Sequence, residues 1–342
     1  FDSAIKSGRT ATKLYYAALA RLYQGDAAGG RRLMREVAAG YPQAPEAQYA
    51  NQYLSAKATP SQSASRDGRV TYQSQTEAAS DDLASLPDSV SIPFRKGLGG
   101  HLCVDGELNG RSMTMLFDTG AECCAFGQNH LDAAGITQKG AAAGYATGVG
   151  GNVKISQMDA EIKVAGLKRK VPIIVQPRLD APPLLGETFY EGYTYDIDNS
   201  SGIIRFSKKG SSSARSIGYD PIDVPYTLAG RNMMVVIEID GRPIQACFDT
   251  GAAGVVFSAS DAARLGMRIP EDAALVQSGG IGGVVPSAAF NVNSIKMGSI
   301  QKSNFPVRVL MGALPYPLVG QTFFGDRKFV INQEKKIIHF SR

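Results

Sequence analysis

The chain of 342 residues carries 36 Lys and Arg against 31 Asp and Glu, giving a net charge of +5, and 44% of its residues are hydrophobic. With 38 Gly and 17 Pro, this composition is typical of a turn-rich globular protein with much β-structure, and the length predicts two or three domains. No apolar run reaches the roughly 18 residues of a membrane-spanning helix, and four Cys without a C-x-x-C pair, beside three His, predict neither a metal site nor a cofactor.

The sequence predicts a basic helical domain over residues 1–59. Leu14, Ala18 and Leu22 recur at a spacing of four, which places them on one face of a helix, and Pro45 suits the first turn of a further helix. Eight Lys and Arg against four Asp and Glu give this domain a charge of +4. Its G-D and Y-P-x-A-P-E-A patterns weakly resemble tetratricopeptide-type repeats of bacterial envelope proteins. That resemblance implies a periplasmic or envelope location and a protein partner, and a plain three-helix cap is the alternative.

Two linkers divide the rest of the chain. Ser, Thr, Gln and Ala dominate residues 60–82, which hold too little apolar surface to offset the entropy of ordering them. A second polar stretch over 207–216 is rich in Lys, Gly and Ser. Short β-branched and aromatic runs separated by Gly and Pro fill the remainder, and they predict two β-lobes over 83–206 and 217–342.

One short motif occurs once in each predicted lobe. M-L-F-D-T-G-A contains Asp118, and A-C-F-D-T-G-A contains Asp249, 131 residues later. Phe126 matches Phe257 at the same spacing, and P-L-L-G-E-T-F from Pro183 is answered 134 residues later by P-L-V-G-Q-T-F. Self-similarity at a fixed spacing indicates a duplicated structural unit. We expect the two matched phenylalanines to fill the lobe cores.

Each D-T-G motif lies between two hairpin signals. Asn109–Gly110 precedes the first motif and Asp240–Gly241 precedes the second, and each predicts a tight turn that leads the next strand into its motif. The Gly-rich run that follows the motif lacks the sixth-position Gly and the βαβ context of a phosphate-binding loop. We therefore expect two hairpin tips, or flaps, that close over a cleft: Gly148, Val149, Gly150 and Gly151 in the first lobe, and Gly280, Ile281, Gly282 and Gly283 in the second.

These features resemble the retropepsin-type aspartic proteases in a duplicated, single-chain form. The resemblance is carried by the paired F-D-T-G-A, by G-G-I-G-G, and by the apolar-apolar-Gly tripeptides that begin at Leu184 and Leu318. It implies a mainly β fold of two homologous β-barrel lobes related by a pseudo-two-fold axis, preceded by the small helical domain. Retroviral enzymes build their site from two chains, so the joined halves imply a monomer. Glu122 and Ala253 depart from the Asp that retroviral enzymes carry there.

The resemblance also implies an aspartic endopeptidase that cleaves peptide bonds of a protein substrate. The catalytic residues would be Asp118 and Asp249, which would share one proton and activate a water without a metal or a covalent intermediate. The supporting loop residues would be Thr119, Gly120, Thr250 and Gly251, with the threonines bonded across to the opposite backbone and the glycines allowing close approach.

Two alternatives stay open at this point. A peptide-binding module could keep the fold with little turnover and hold an extended segment by strand addition. A zymogen could use the basic helical domain to cover an acidic cleft. The intact pair of D-T-G motifs favours the enzyme over the binding module, and the modest charge predicts no nucleic-acid partner. For Cys103, Cys123, Cys124 and Cys247 we expect buried free thiols, with a disulfide as the alternative.

Overall fold

A computed structural model of the chain describes residues 9–23, 26–44, 46–47, 50–51, 54, 85–208, 221–312 and 314–341. The predicted linker over 60–82 and the part of the second linker over 209–216 lie outside the described residues. Within the part of the chain that the structure describes, no helix is long and apolar enough to cross a membrane.

The N-terminal segment is helical, as the apolar spacing predicts. Helices α1 (Ala11–Tyr23) and α2 (Ala27–Gly40) pack against each other, and the described residues among 46–54 are also helical. Asp26 begins α2, because its side chain accepts a 2.8 Å hydrogen bond from an amide of the first turn. Leu14 is fully buried between the helices and the second lobe, so the predicted apolar face forms a true packing surface.

The first lobe is a β-barrel of successive hairpins with two short helices. Its first tight turn is the predicted one, with Asn109 and Gly110 at φ 47° and 80°. The buried Phe126 lies in the lobe core, as expected. The strands are β1 (Ser89–Lys96), β2 (Leu102–Leu108), β3 (Arg111–Phe117), β4 (Cys124–Gly127), β5 (Ala141–Gly148), β6 (Gly151–Val164), β7 (Leu167–Gln176), β8 (Leu184–Leu185), β9 (Tyr193–Asp198) and β10 (Ile203–Lys208), and the helices are α3 (Gln128–Ala133) and α4 (Glu187–Tyr190).

The second lobe repeats this order of strands and α-helices, and the short 3-10 helix Leu98–Gly100 of the first lobe has no counterpart among its described residues. Asp240 and Gly241 form its first tight turn at φ 49° and 78°, and the buried Phe257 matches Phe126 of the first lobe. The strands are β11 (Ile222–Ala229), β12 (Asn232–Ile239), β13 (Arg242–Phe248), β14 (Val255–Ser258), β15 (Ala274–Gly280), β16 (Gly283–Met297), β17 (Ile300–Leu310), β18 (Leu318–Val319), β19 (Phe329–Asn332) and β20 (Ile337–Phe340), and the helices are α5 (Ala259–Arg264) and α6 (Gln321–Phe324).

The two lobes share one antiparallel sheet of six strands. Its order is β11–β20–β19–β9–β10–β1, so three strands come from each lobe. The lobes meet where Phe329 pairs with Ile197 and Val330 with Asp196. Backbone hydrogen bonds therefore join the two halves beneath the strands that carry the D-T-G motifs.

Strand β10 runs two residues past the predicted end of the first lobe at 206. Ser207 pairs with Ser89, and Lys208 pairs with Tyr193. The strand thus extends two residues into the stretch predicted as the second linker. Ser and Lys side chains are typical of linkers, but here the shared sheet satisfies their backbone groups.

The helical domain packs on the second lobe. Leu14 and Met34 share a buried apolar cluster with Ala288 of β16 and with Met311, which follows β17. At the edge of this contact, Lys13 pairs with Glu271 at 2.8 Å. The helices therefore cover the base of the hairpin β15–β16, whose far end is the second flap.

Candidate active site

Both D-T-G motifs leave the ends of equivalent strands. Asp118 follows β3, and its N–H donates to the carbonyl oxygen of Leu185 at 3.1 Å. Asp249 follows β13, and its N–H donates to the carbonyl oxygen of Val319 at 3.0 Å. The apolar-apolar-Gly segments thus form the short strands β8 and β18, which lie parallel to β3 and β13 and fix where each carboxylate emerges.

The two motif threonines lock the lobes together, as expected. The Thr119 hydroxyl donates to the carbonyl oxygen of Phe248 at 2.9 Å and accepts the N–H of Thr250 at 3.0 Å. Reciprocally, the Thr250 hydroxyl donates to the carbonyl oxygen of Phe117 at 2.8 Å and accepts the N–H of Thr119 at 3.0 Å. Both threonines are fully buried, so these four bonds are shielded from competing water.

This lock brings the two carboxyl groups together. The carboxyls of Asp118 and Asp249 face each other across the lobe boundary, each against the motif glycine of the other lobe. Each also accepts a bond from the glycine N–H of its own motif, at 2.8 Å and 2.7 Å respectively. A Cβ on Gly120 would lie 2.5 Å from the carboxyl carbon of Asp249, and a Cβ on Gly251 would collide with Asp118. Only glycine therefore permits this close approach.

The environment of the pair favours retention of a proton. Asp118 and Asp249 are 7% and 8% exposed, and burial raises the pKa of both carboxyls. The charge of Asp118 raises the pKa of Asp249 further, while N–H donors from the motif backbone oppose both shifts. The pair therefore holds a proton at pH values where two isolated aspartates would both be ionised.

Two supporting side chains were missed in the sequence. The Tyr190 hydroxyl donates to the carbonyl oxygen of Asp118 at 3.0 Å, and the Gln321 amide donates to the carbonyl oxygen of Thr250 at 3.0 Å. Each of them comes shortly after one of the two apolar-apolar-Gly segments, and these segments are part of the internal repeat. The two copies differ at these positions, so a search for matching residues passes over them.

The eight predicted flap residues lie at the tips of two hairpins, β5–β6 and β15–β16. The tips touch each other, because the N–H of Gly282 donates to the carbonyl oxygen of Val149 at 2.9 Å. Gly150 has φ 97°, and a Cβ there would lie 2.5 Å from the backbone of Gly282. This contact requires a residue without a side chain, and it joins a flap from each lobe.

The cysteines are free thiols, as expected. Cys124 and Cys247 are buried, whereas Cys103 and Cys123 are half-buried, so the expected burial holds fully for two of the four. Burial raises the pKa of Cys124 to about 11 and that of Cys123 to about 12. Because the thiolate is the reactive form, these two cysteines near the Asp118–Asp249 pair, which we call the dyad, are poor nucleophiles.

Comparison with protein families matches the chain to the aspartyl protease family over residues 104–189 and 235–323. These two regions make up about half of the chain, and each contains one D-T-G motif. The chain therefore belongs to the aspartyl protease family, in a form that carries the family unit twice. A search among curated proteins found no match. The tetratricopeptide-like character of the helical domain stays a prediction.

Proposed function

We propose that this protein is an aspartic endopeptidase that hydrolyses peptide bonds of a protein substrate through a water activated by Asp118 and Asp249. One observation carries the proposal: two buried carboxyls from different lobes face each other at the ends of equivalent strands, each against the motif glycine of the other lobe. The four threonine hydrogen bonds and the family membership support it.

The chemistry follows from one proton shared by two carboxyls. The ionised carboxylate takes a proton from a water held between the pair, and the protonated carboxyl donates to the carbonyl oxygen of the scissile bond. The water oxygen attacks the carbonyl carbon and forms a tetrahedral diol. The carboxyl groups then return a proton to the leaving nitrogen as the C–N bond breaks. Burial of the pair supports this mechanism because it keeps the second carboxyl protonated.

The flaps supply the second requirement of peptide hydrolysis, which is a closed cleft. Two hairpins that meet at their tips can hold an extended peptide by backbone hydrogen bonds and exclude bulk water during the reaction. They must part to admit a substrate, so their opening is a gating step.

The direct test is the loss of either carboxyl. Asp118→Asn and Asp249→Asn should each reduce cleavage of an unstructured protein by about 10²–10⁴-fold, the range that general acid–base catalysis supplies. Asp272→Asn, at an exposed position, is the matched control and should cleave as the unmodified chain does. Thermal unfolding of each variant checks the fold, and sequencing of the fragments defines the cleavage sites. An Asp118→Asn variant with full turnover would overturn the proposal.

A binding measurement separates the enzyme from a peptide-binding module. A statine-type peptide, whose hydroxyl mimics the tetrahedral diol, should bind the unmodified enzyme more tightly than the unreacted peptide of the same sequence. A binding module without turnover would hold both peptides equally and release no fragments.

A zymogen is a second candidate, and the position of the helical domain favours it. The helices pack on the base of the second flap, where they could restrict its opening. The contacts of the described helices with the second lobe include Ala288, Met311 and Glu271, and none of these residues belongs to the D-T-G motifs. Removal of the helical domain distinguishes this candidate from a constitutively active enzyme, because only a zymogen should gain peptide cleavage when the helices are absent.

For the cellular location we propose the periplasm or cell envelope of a bacterium. The support is the resemblance of the helical domain to envelope repeats. Fractionation of bacterial cells that express the protein from its natural gene would test it, and recovery with the cytoplasmic fraction would contradict it.

A further inference from the structure

The D-T-G loop of the second lobe is held by one buried side chain. Gln321 begins α6 and is 6% exposed. Its backbone N–H donates to the carbonyl oxygen of Ala252 at 2.9 Å, and its side-chain amide donates to the carbonyl oxygen of Thr250 at 3.0 Å. Gln321 therefore binds the loop on both sides of Gly251, whose own N–H donates to Asp249.

The side-chain bond acts on a peptide group that also contacts the reacting carboxylate. The carbonyl of Thr250 and the N–H of Gly251 belong to the same peptide group, and this N–H donates to Oδ1 of Asp249 at 2.7 Å. A peptide group whose carbonyl accepts a hydrogen bond becomes a better donor at its N–H, because successive bonds polarise one another. The Gln321 amide therefore strengthens a bond that stabilises the ionised form of Asp249.

The first lobe keeps this backbone arrangement with a different side chain. Glu187 occupies the position equivalent to Gln321, 134 residues earlier, and its N–H likewise donates to the carbonyl oxygen of Ala121, at 2.9 Å. An ionised carboxylate carries no N–H or O–H, so Glu187 in that form cannot supply the bond that the amide makes in the second lobe. The two equivalent aspartates therefore differ in the side chain that supports their loops.

The orientation of the Gln321 amide is fixed by the chemistry of its partner. A carbonyl oxygen can only accept, so the NH2 group must face Thr250. The remaining Oε1 is buried, has no hydrogen-bond partner among the described residues, and would lie 2.7 Å from a Cβ on Gly325. A buried acceptor without a partner costs free energy. An apolar side chain of similar length would avoid that cost, so stability alone does not account for an amide at this position.

We propose that Gln321 is a positioning residue of the peptidase reaction, which acts on Asp249 through the peptide group between Thr250 and Gly251. Its amide keeps the N–H of Gly251 directed at the carboxylate and polarises it as the carboxylate ionises. The dyad thereby loses its first proton, and reaches the state that activates water, at a lower pH than it otherwise would. The inference rests on the proposed peptidase function and adds a residue that acts through the backbone.

The test replaces the amide by a side chain of similar length that cannot donate. Gln321→Met should move the acidic limb of kcat/KM against pH upward by about half a pKa unit, the effect of losing about 30% cooperative strengthening of a charge-assisted bond. Other titratable groups within electrostatic reach of the dyad include His101, Cys247 and Tyr190, and this substitution changes none of them.

Tyr190→Phe is the matched control. The Tyr190 hydroxyl also donates to a D-T-G carbonyl, that of Asp118, but the N–H of that peptide group donates to the Thr250 hydroxyl and not to a carboxylate. Burial raises the pKa of Tyr190 well above its ordinary value, so the variant removes a neutral donor. Its acidic limb should stay in place. An equal shift in both variants, or no shift in Gln321→Met, would overturn the proposal.

The dyad can also be titrated without a substrate. The carboxyl ¹³C resonances of Asp118 and Asp249, assigned with the two Asn variants, report the ionisation of the pair directly. In Gln321→Met the first ionisation should occur at a pH higher by about half a unit, and in Tyr190→Phe it should not move. Gln321→Leu, which also removes the amide, replaces Gln321→Met if the latter does not fold.

The two measurements separate this inference from the proposed function. An unmoved ¹³C titration in an unmodified chain and a Gln321 variant that both cleave peptides would overturn the positioning role and leave the peptidase proposal intact. A chain whose dyad titrates as expected but which cleaves no peptide would instead remove the peptidase proposal, and with it any role of Gln321 in catalysis.

Discussion

The alanine after each D-T-G motif offers the dyad a backbone donor but no hydroxyl. The N–H of Ala252 donates to Asp249 at 3.0 Å, and the N–H of Ala121 likewise stabilises the ionised form of Asp118. A hydroxyl at either position would add a hydrogen bond to the ionised pair and lower its pKa. Residues that follow the motif can thus set the pH range of the enzyme.

We expect the unmodified enzyme to work best at mildly acidic to near-neutral pH. Ala121→Ser and Ala252→Ser should move the acidic limb of the rate profile downward. The shift should be about one to two pKa units, since a charge-assisted hydrogen bond contributes about 1.5–3 kcal/mol. The measurement is kcat/KM against pH on one peptide, with the exposed Ala133→Ser as control. An unmodified enzyme that works best in strong acid would refute the expectation.

The buried dyad should also destabilise the folded chain at neutral pH. Because the pKa of Asp249 is raised above the ordinary value of 3.8, the unfolded chain ionises more readily than the folded one as the pH rises. The contribution of Asp249 to the free energy of unfolding is therefore fully present below pH 3.8. It is lost as the pH rises through the pKa that Asp249 has in the folded chain. The burial that keeps this carboxyl protonated therefore lowers the stability of the folded chain at neutral pH.

Asp249→Asn should accordingly be more stable than the unmodified chain near neutral pH. Asparagine can accept the same N–H bonds but cannot ionise, so the difference should vanish in acid. Urea unfolding at several pH values measures it, and the exposed Asp272→Asn should show no such pH-dependent gain. A variant less stable than the unmodified chain at neutral pH would contradict the direction of the pKa shift.

At the scale of elements, the flap tips depend on the absence of side chains. A Cβ on Gly282 would lie 2.5 Å from the backbone nitrogen of Gly151 in the opposite flap. Gly282→Ala should therefore separate the tips and reduce kcat/KM by about tenfold to a hundredfold, with little change in thermal stability. Gly166→Ala, in a turn with no atom within 4 Å of the added carbon, is the control. Unchanged kinetics in Gly282→Ala would show that the closed tips are not needed for catalysis.

The docked helices make a second prediction at this scale. A chain that begins at residue 83 keeps both D-T-G motifs, and we expect it to cleave short peptides. It should unfold at lower urea concentration, because exposing Met311 alone can remove up to about 3 kcal/mol of stabilisation. A large gain in peptide cleavage would support the zymogen instead. Normal stability would show that the contact with Ala288 and Met311 contributes little.

The sequence predicted most of these elements, since repeats and apolar spacing are local properties. The hairpins at Asn109 and Asp240 and the helical face around Leu14 follow from such patterns. The surface on which the helices pack could not be predicted, because an apolar face identifies no partner. Likewise, Tyr190 and Gln321 support the dyad loops by long-range hydrogen bonds that leave no periodic pattern. Comparing the repeats for their differences would have drawn attention to both.

At the scale of the whole molecule, both halves of the site belong to one covalent chain, and the shared sheet and the threonine hydrogen bonds hold them in position. The site should therefore form without an association step, in contrast to a site built from two subunits. Specific activity should stay constant over about a thousandfold dilution. A mixture of separate lobes, 83–206 and 217–342, is the control and should lose activity on dilution. Loss of specific activity by the intact chain on dilution would show that a second copy is required.

Covalent joining also frees the two halves of the cleft to differ. In a symmetric dimer every substitution appears in both halves at once, so a peptide meets the same groups in either direction. Here a carboxylate at position 122 faces one loop, and a methyl group at position 253 faces its counterpart in the other half. If the cleft binds peptides as proposed, its two halves give it a chemical polarity, and a peptide bound in one direction would not be equivalent to the same peptide reversed.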